Sequence, residues 1–222
     1  VVLEVVARVR DNFAMNGERH APVRSSAVRI LIVSQEQLSA EVADNLRGAA
    51  RQVQSLSRQQ GAVQAETKQL LQELTDRGSV DPAAEKALAR LAGTQGQLAD
   101  QARQVAEQIG GQLRRLAENR SADRELATAA QDAAAAMEAA AEMSMPESRA
   151  RLAAGKASEE AGAQQQELAA ASKAQQAAQQ QLARAVGRLG TVGSLEQAIA
   201  SLQEMLSKQQ ELSQQTKEQG KQ

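Results

Sequence analysis

The sequence contains no cysteine, tryptophan or tyrosine, and its 222 residues include a single phenylalanine, Phe13. Without cysteine, a disulfide framework and a thiolate metal site are both excluded. Aromatic side chains contribute the largest buried areas in most cores, so a compact globule of this length would be hard to stabilise. Long helices that bury only a narrow apolar stripe need much less apolar area. The composition therefore favours an elongated helical protein.

The charges of the chain nearly cancel, with 26 Lys and Arg against 27 Asp and Glu and a formal net charge of −1. Proteins that bind nucleic acid through bulk electrostatics carry an excess of positive charge, so we expect no nucleic-acid partner. Membrane-spanning helices need roughly 20 consecutive apolar residues, and no run in the sequence approaches that length. We therefore expect no membrane span within this chain.

The longest regular pattern in the sequence runs from Leu38 to Leu74. Apolar residues recur there in alternating steps of four and three, which average 3.5 residues and predict a left-handed coiled-coil seam. A similar pattern follows Pro82. Together the two stretches define the predicted seam residues: Val42, Leu46, Val53, Leu56, Val63, Leu70, Leu74, Leu88, Leu91, Leu98, Val105, Ile109 and Leu116.

The boundaries of these helices carry recognisable signals. Ser34 with Gln37 forms a capping-box pattern that predicts the start of the first helix, which should run to about Arg77. Glycine, aspartate and proline within residues 78–82 predict the end of that helix and the start of the next. Such a short linker suits antiparallel neighbours, so we expect residues 34–77 and 82–118 to fold back on each other.

In this hairpin we expect Val63 to lie opposite Gln95, and Val53 opposite Val105. A parallel dimer, in which Val53 meets its own copy, is the competing arrangement. Four polar residues also occupy seam positions, where they lower stability but can fix the register of the helices: Gln60, Thr67, Gln95 and Gln175.

The helices after residue 120 are richer in alanine, and the sequence predicts two interruptions there. Met145-Pro146 should break the helix, because proline lacks a backbone donor and disfavours helix at the residue before it. Three glycines, Gly187, Gly190 and Gly193, should end the next helix, with a last one beginning near Ser194 and fraying at the polar tail.

Two stretches rich in β-branched residues precede the helices, residues 1–10 and residues 28–33. Turn-forming residues lie between them, including Asn16-Gly17 and Pro22, which predicts a β-hairpin with a long loop. Two strands alone are marginal in water. We therefore expect the hairpin to be the end of a larger sheet whose earlier strands precede this chain.

The residues Ala7-Arg8-Val9-Arg10-Asp11-Asn12-Phe13, a glycine shortly after them and the run 28–33 resemble the last two strands of a bacterial immunoglobulin-like sandwich. Such a hairpin followed directly by a long Gln- and Ala-rich helix is similar to large, membrane-anchored bacterial envelope proteins of unknown function. The resemblance implies a truncated immunoglobulin-like β-domain and favours the periplasmic side of the bacterial envelope. A cytoplasmic location stays open. The resemblance implies no activity.

No pattern of catalytic, cofactor-binding or metal-binding residues can be read from the sequence. The single histidine, His20, lacks the second and third partners that a metal ligand or a catalytic base needs. The densest basic cluster has acidic residues interleaved, which favours a solvated helix face over a phosphate site; it comprises Arg114, Arg115, Arg120 and Arg124.

The predicted fold is mainly α, with long antiparallel coiled-coil helices after a β-hairpin that ends a truncated β-sandwich. We expect three regions: the hairpin at 1–33, an antiparallel helical hairpin at 34–120, and further Ala- and Gln-rich helices at 121–222. The expected function is a non-enzymatic scaffold, spacer or adaptor without cofactor, which meets protein partners through helix packing or self-associates. The alternative is a signal-relaying helical module of a receptor-like or chromosome-maintenance-like protein.

Overall fold

The computed structural model describes residues 1–10, 14–15, 18–19, 21–77, 82–158 and 160–219. The chain is 82% helical, with long helices after a small antiparallel sheet, which confirms the predicted fold class. Contacts divide it into two compact units, residues 1–40 and residues 41–222.

The described residues of the first unit contain six short strands, which pair as three two-stranded antiparallel ladders. β1 (Val2–Val5) pairs with β6 (Val28–Leu31), β2 (Arg8–Val9) with β5 (Val23–Arg24), and β3 (Ala14–Met15) with β4 (Glu18–Arg19). The predicted long loop is therefore wrong, because pairing continues almost to the tip of the hairpin. The position of His20 lies outside the described residues.

The two faces of the β1–β6 ladder differ in chemistry. Opposed residues of an antiparallel pair share a face, which places Leu3 with Ile30 and Val5 with Val28 on an apolar face. The other face is mixed: it carries the apolar pair Val2–Leu31 beside Glu4 and Arg29, which lie opposite each other and form an ion pair of 2.8 Å. The apolar residues are exposed, with Ile30 at 46% and Val28 at 59%. Within the described residues, nothing covers this face.

The first helix, α1 (Gln35–Arg77), begins at the predicted capping box. The backbone N–H of Gln37 donates to Ser34 Oγ at 3.2 Å, and the N–H of Ser34 donates to Gln37 Oε1 at 3.3 Å. These reciprocal bonds satisfy backbone donors that have no partner within the helix. A local sequence signal therefore located the start of α1.

The second unit contains the rest of α1 and four more helices: α2 (Pro82–Glu118), α3 (Arg124–Ala139), α4 (Met145–Ala157) and α5 (Ala161–Gln219). A single π-helical turn, Ala140–Ser144, connects α3 directly to α4. We therefore treat α3 and α4 as one continuous rod, called the α3–α4 rod.

Within this unit, four rods pack as an antiparallel bundle in which each rod touches two neighbours. α2 packs on the α3–α4 rod, and that rod packs on α5. On α1, residue 41 contacts residue 115 of α2, and residue 66 contacts residue 90 of α2. Residue 57 of α1 contacts residue 179 of α5, and residue 74 contacts residue 165 of α5. In both pairs the numbers rise on one helix as they fall on the other. The chain therefore forms an up-down-up-down four-helix bundle.

The bundle joins regions that the sequence analysis separated at residue 120. The chain does leave the helix there, since Arg120 has a positive φ of 50° and Asp123 caps α3 by accepting from the N–H of Leu126 at 3.0 Å. The helices before and after this turn nevertheless belong to one compact unit. The turn at residue 120 is thus a connection inside the bundle.

Two predicted helix breaks are wrong. Pro146 lies in the first turn of α4, directly after the π-helical turn, and the helix continues through it. The wider π-helical turn changes the spacing of the backbone donors and acceptors next to Pro146, which has no N–H to donate. α5 also continues through Gly187, Gly190 and Gly193. Each glycine costs only about 1 kcal/mol in a helix, which packing of the flanking residues Leu182 and Leu189 can offset.

One helix end was missed by the sequence analysis. α4 stops at Ala157, and Ser158 adopts an extended conformation with φ −83° and ψ 127°. Its hydroxyl donates back to the carbonyl of Ala154 at 3.0 Å, which satisfies one of the last acceptors of the helix. This turn gives α5 its own direction, antiparallel to the α3–α4 rod.

Candidate functional site: buried amides in the bundle core

The predicted seam residues lie along the inside of the bundle. All of them are buried except Leu70, which is half-buried, and Leu46, Leu91 and Ile109 are fully inaccessible at 0%. Further alanines on α2 and the α3–α4 rod complete the core, among them Ala102 and Ala133, both at 0%. Because alanine buries little area, this core is thin in apolar surface per residue.

The centre of the core contains a pair of glutamines, Gln60 on α1 and Gln95 on α2, both 0% exposed. The two amides bind each other reciprocally. Gln95 Nε2 donates to Gln60 Oε1 at 2.8 Å, and Gln60 Nε2 donates to Gln95 Oε1 at 3.3 Å. Ser148 on α4, also fully buried, donates its hydroxyl to the same Gln95 Oε1 at 3.4 Å. A polar layer therefore links three of the four rods.

A second polar layer lies seven residues further along α1, about 10 Å away at 1.5 Å per residue. Gln175 Nε2 on α5 donates to Thr67 Oγ1 at 3.0 Å, and Thr67 donates to the carbonyl of Val63 at 2.9 Å. Both polar side chains are 0% exposed. The two layers together connect α1 to each of the other three rods.

All four polar seam residues predicted from the sequence thus take part in buried hydrogen bonds, but the predicted pairing was wrong. We expected Gln95 to face Val63, whereas it pairs with Gln60. The predicted register would have buried an amide against an apolar side chain. An unpartnered buried polar group costs about 1–3 kcal/mol, so the helices align amide with amide.

Amide side chains also connect α1 to α5 through backbone carbonyls. Gln179 Nε2 donates to the carbonyl of Ser57 at 2.7 Å, and Gln64 Nε2 donates to that of Ser172 at 3.4 Å. Helical carbonyls already accept one intrahelical bond and keep a second lone pair for such donors. Among the described residues, the side-chain hydrogen bonds between α1 and α5 are therefore made by glutamine.

Three buried polar residues escaped the sequence analysis: Ser144, Ser148 and Gln164. Ser144 donates to Gln181 Oε1 at 3.0 Å, and Gln164 Nε2 donates to the carbonyl of Gly155 at 2.9 Å. Serine and glutamine are common at exposed helix positions, so composition gave no signal for them. Their spacing from the buried Met137 and Leu168 would have been the only clue.

Two buried acceptors among the described residues have no hydrogen-bond partner, Gln164 Oε1 and Gln175 Oε1. Both belong to α5. Each unpartnered acceptor weakens the side of the core that holds it. The hydrogen bonding of α5 is thus less complete than that of the Gln60–Gln95 layer.

Ionisable groups lie at the surface of the bundle, where ion pairs connect neighbouring rods. Arg115 donates to Glu41 at 2.7 Å, and Arg188 on α5 lies 3.2 Å from Asp132 on α3. The Arg115 guanidinium holds the pKa of Glu41 below its usual range through this hydrogen bond and its positive charge. Of the basic cluster predicted from the sequence, Arg115 therefore binds across the bundle to α1.

The polar side chains of this site position the helices relative to one another. Amides and hydroxyls neither titrate near neutral pH nor act as strong nucleophiles, but they fix which helix positions face each other.

Among the described residues, no three His, Cys, Asp or Glu side chains gather as they would around a metal ion. Over the same residues, no helix combines the length and apolar character needed to cross a bilayer. No family model, curated protein or solved structure matches this chain.

Proposed function

We propose that this chain is a non-enzymatic structural module, a helical scaffold, spacer or adaptor within a larger bacterial envelope protein. In this proposal residues 1–33 are the last strands of an immunoglobulin-like β-domain, and the helical bundle holds other parts of the assembly at a fixed spacing. The observation that carries the proposal is the reciprocal Gln60–Gln95 pair, fully buried between α1 and α2.

Such a pair supports a spacer because it fixes one axial alignment of the helices. A bundle whose rods cannot slide keeps a constant length under load. α1 alone contains 43 residues, which corresponds to about 65 Å at 1.5 Å per residue. A rod of that length with a fixed register suits the separation of two attachment points.

The β1–β6 ladder supports the second part of the proposal. Leu3, Val5, Val28 and Ile30 form an apolar face that remains exposed within the described residues. In β-sandwiches such a face packs on a second sheet about 10 Å away. The missing sheet would come from earlier strands of an immunoglobulin-like domain.

The alternative function, signal relay, is favoured by a different observation. The π-helical turn Ala140–Ser144 and the unpartnered Gln175 Oε1 are features that a second packing of the core could relieve. A relay needs an element with two discrete arrangements, whereas a spacer needs one.

Distance measurements across the π-helical turn distinguish the two functions. The chain has no cysteine, so spin labels at Glu138→Cys and Ala150→Cys, both exposed positions, would be unique. The control pair, Arg58→Cys and Lys68→Cys, lies on the regular part of α1. A spacer should give one narrow distance distribution for both pairs. Two populations for the first pair alone would refute the spacer and support the relay.

A further inference from the structure

Gln175 on α5 lies at a height between the two polar layers of the core. Hydrogen bonds between the antiparallel helices α1 and α5 fix this height: residue 57 meets residue 179, residue 64 meets residue 172, and residue 74 meets residue 165. Position 175 is three residues from 172 and ten from 165, so it is level with about residue 61 by one contact and about residue 64 by the other. Both values lie between Gln60 and Thr67.

The amide of Gln175 uses only one of its two ends in the structure. Its Nε2 donates to Thr67 Oγ1 at 3.0 Å, whereas its Oε1 is buried without a donor among the described residues. The side chain is 0% exposed, so this oxygen has no direct access to solvent. A buried acceptor without a donor is unfavourable, and a position of the amide that supplies a donor would remove that penalty.

The neighbouring layer offers Gln175 both a donor and an acceptor. A primary amide has two N–H donors and two lone pairs on its oxygen. Gln60 Nε2 donates one bond to Gln95, and Gln60 Oε1 accepts one bond from Gln95. One N–H and one lone pair of Gln60 therefore remain for a second amide. The amide of Gln175, with one donor and one acceptor to place, is complementary to them.

We propose that the Gln175 side chain is a two-position switch in the bundle core. In the first position it binds Thr67, as described above. In the second position its Nε2 donates to Gln60 Oε1, and its Oε1 accepts from Gln60 Nε2. Ser148 on α4 already binds the same layer, so the second position extends one polar layer across all four rods. Thr67 donates to the carbonyl of Val63 in both positions, so the exchange leaves its hydroxyl paired.

Two opposing preferences give the side chain its two positions. Side chains on an α-helix lean towards its N-terminus, which on α5 is the direction of Thr67. The first position therefore has the better side-chain conformation, whereas the second has the more complete hydrogen bonding. The exchange needs rotation of one side chain and no movement of a helix. The inference rests on the proposed function, because it uses the amide pair that carries it, and it adds a second way of holding α5.

Removing the first position tests whether the second one exists. In Thr67→Val, valine keeps the shape of the side chain but offers no acceptor to Gln175. If the amide moves to Gln60, Thr67→Val should change the Tm of the full chain by the same amount, within about 2 °C, in wild type and in a Gln175→Met background. Without a second position, valine would strand a buried amide, and the wild-type background should lose at least about 4 °C more than the Gln175→Met background.

That larger loss, or a Thr67→Val chain that no longer folds, would overturn the switch. The control is Thr75→Val, because Thr75 is exposed and donates to the carbonyl of Leu71 at 2.8 Å, as Thr67 does to that of Val63. Its effect on Tm should be the same in both backgrounds. A difference there would mean that Gln175→Met disturbs the bundle beyond its own contact.

A crystal structure of the Thr67→Val chain locates the amide directly. Gln175 Nε2 should lie within about 3.2 Å of Gln60 Oε1, and Gln175 Oε1 within about 3.2 Å of Gln60 Nε2. A Gln175 side chain that still points at position 67 would refute the inference. The same structure tests the proposed function separately. If the Gln60–Gln95 pair is intact and Gln175 has not moved, only the switch fails, whereas loss of the pair itself would remove the support for the spacer.

Nuclear Overhauser contacts in the wild-type chain test whether both positions are occupied. The side-chain amide of Gln175, assigned by its absence in Gln175→Met, should show contacts to the methyl group of Thr67 and to the side-chain amide of Gln60. Contacts to Thr67 alone would mean a single position and refute the switch.

Discussion

Replacing Gln95 by leucine tests whether the buried amide pair holds α1 and α2 in register. The substitution removes both bonds of the pair and leaves the amide of Gln60 at 0% exposure without a partner on α2. A buried polar group without a partner costs about 1–3 kcal/mol, and an amide presents two such groups. The buried leucine offsets part of this cost. We expect the free energy of unfolding to fall by about 2 kcal/mol.

Replacing both glutamines by leucine should behave differently. The double variant leaves neither amide behind, and exchanging a polar pair for apolar groups of similar shape is nearly neutral or stabilising. Ser148 loses its acceptor on Gln95, but a helical serine can turn its hydroxyl to a carbonyl of its own helix. The double variant should lie within about 1 kcal/mol of wild type, which makes the two single effects strongly non-additive.

Urea unfolding followed by circular dichroism at 222 nm measures these differences. For a unit of this size, 2 kcal/mol corresponds to a fall in Tm of roughly 4–8 °C. The control is Gln176→Leu on α5, an exposed glutamine whose substitution should stay within about 0.5 kcal/mol. If the two single losses simply add in the double variant, the amides do not act as a pair and the register argument fails.

Two further substitutions probe the helices and their surface. Gly93→Ala should raise the free energy of unfolding by about 0.5–1 kcal/mol, since nothing lies within 4 Å of the new methyl group. Gly61→Ala should gain less, because its methyl group would meet Gln179 Nε2 at 2.9 Å; equal gains in urea titrations would contradict this contact. Glu41→Gln should lower Tm more at pH 7 than at pH 3. The pair with Arg115 lowers the pKa of Glu41 on folding, so its stabilisation is present above the unfolded pKa of about 4.3 and is lost as pH falls through the folded value. An equal Tm difference at both pH values would exclude that linkage.

Local signals in the sequence located the helices well. The Ser34–Gln37 capping box forms as expected, and the 3.5-residue pattern identified buried residues such as Leu46 and Ile109. These signals involve residues close together in the chain, so they need no knowledge of the partner helix. The predicted breaks at Pro146 and Gly187 failed for the opposite reason. There, tertiary packing outweighs a local preference of a few kcal/mol.

The number of packed helices was harder to infer, because the apolar seam alone suggested one partner for each helix. In a four-helix bundle every helix meets two neighbours and buries a wider stripe than a two-helix seam requires. The extra width is alanine: Ala99 and Ala106 on α2 are buried beside the predicted seam, seven residues apart. Ala134 and Ala141 repeat the spacing on the α3–α4 rod. A second column of alanine at heptad spacing was therefore the missed signal.

A core so rich in alanine explains why the bundle needs buried amides. Columns of small, similar side chains repeat every seven residues, so a helix that slides by one heptad replaces alanine contacts with nearly equal ones. The same slide would place Gln95 opposite Val53 or Thr67 and separate it from Gln60, leaving buried amides without each other. Each unpartnered group costs about 1–3 kcal/mol, which exceeds the energy difference between the alternative alanine contacts. The leucine double variant should therefore keep its stability and lose its single alignment, as in coiled coils whose polar core residue is removed.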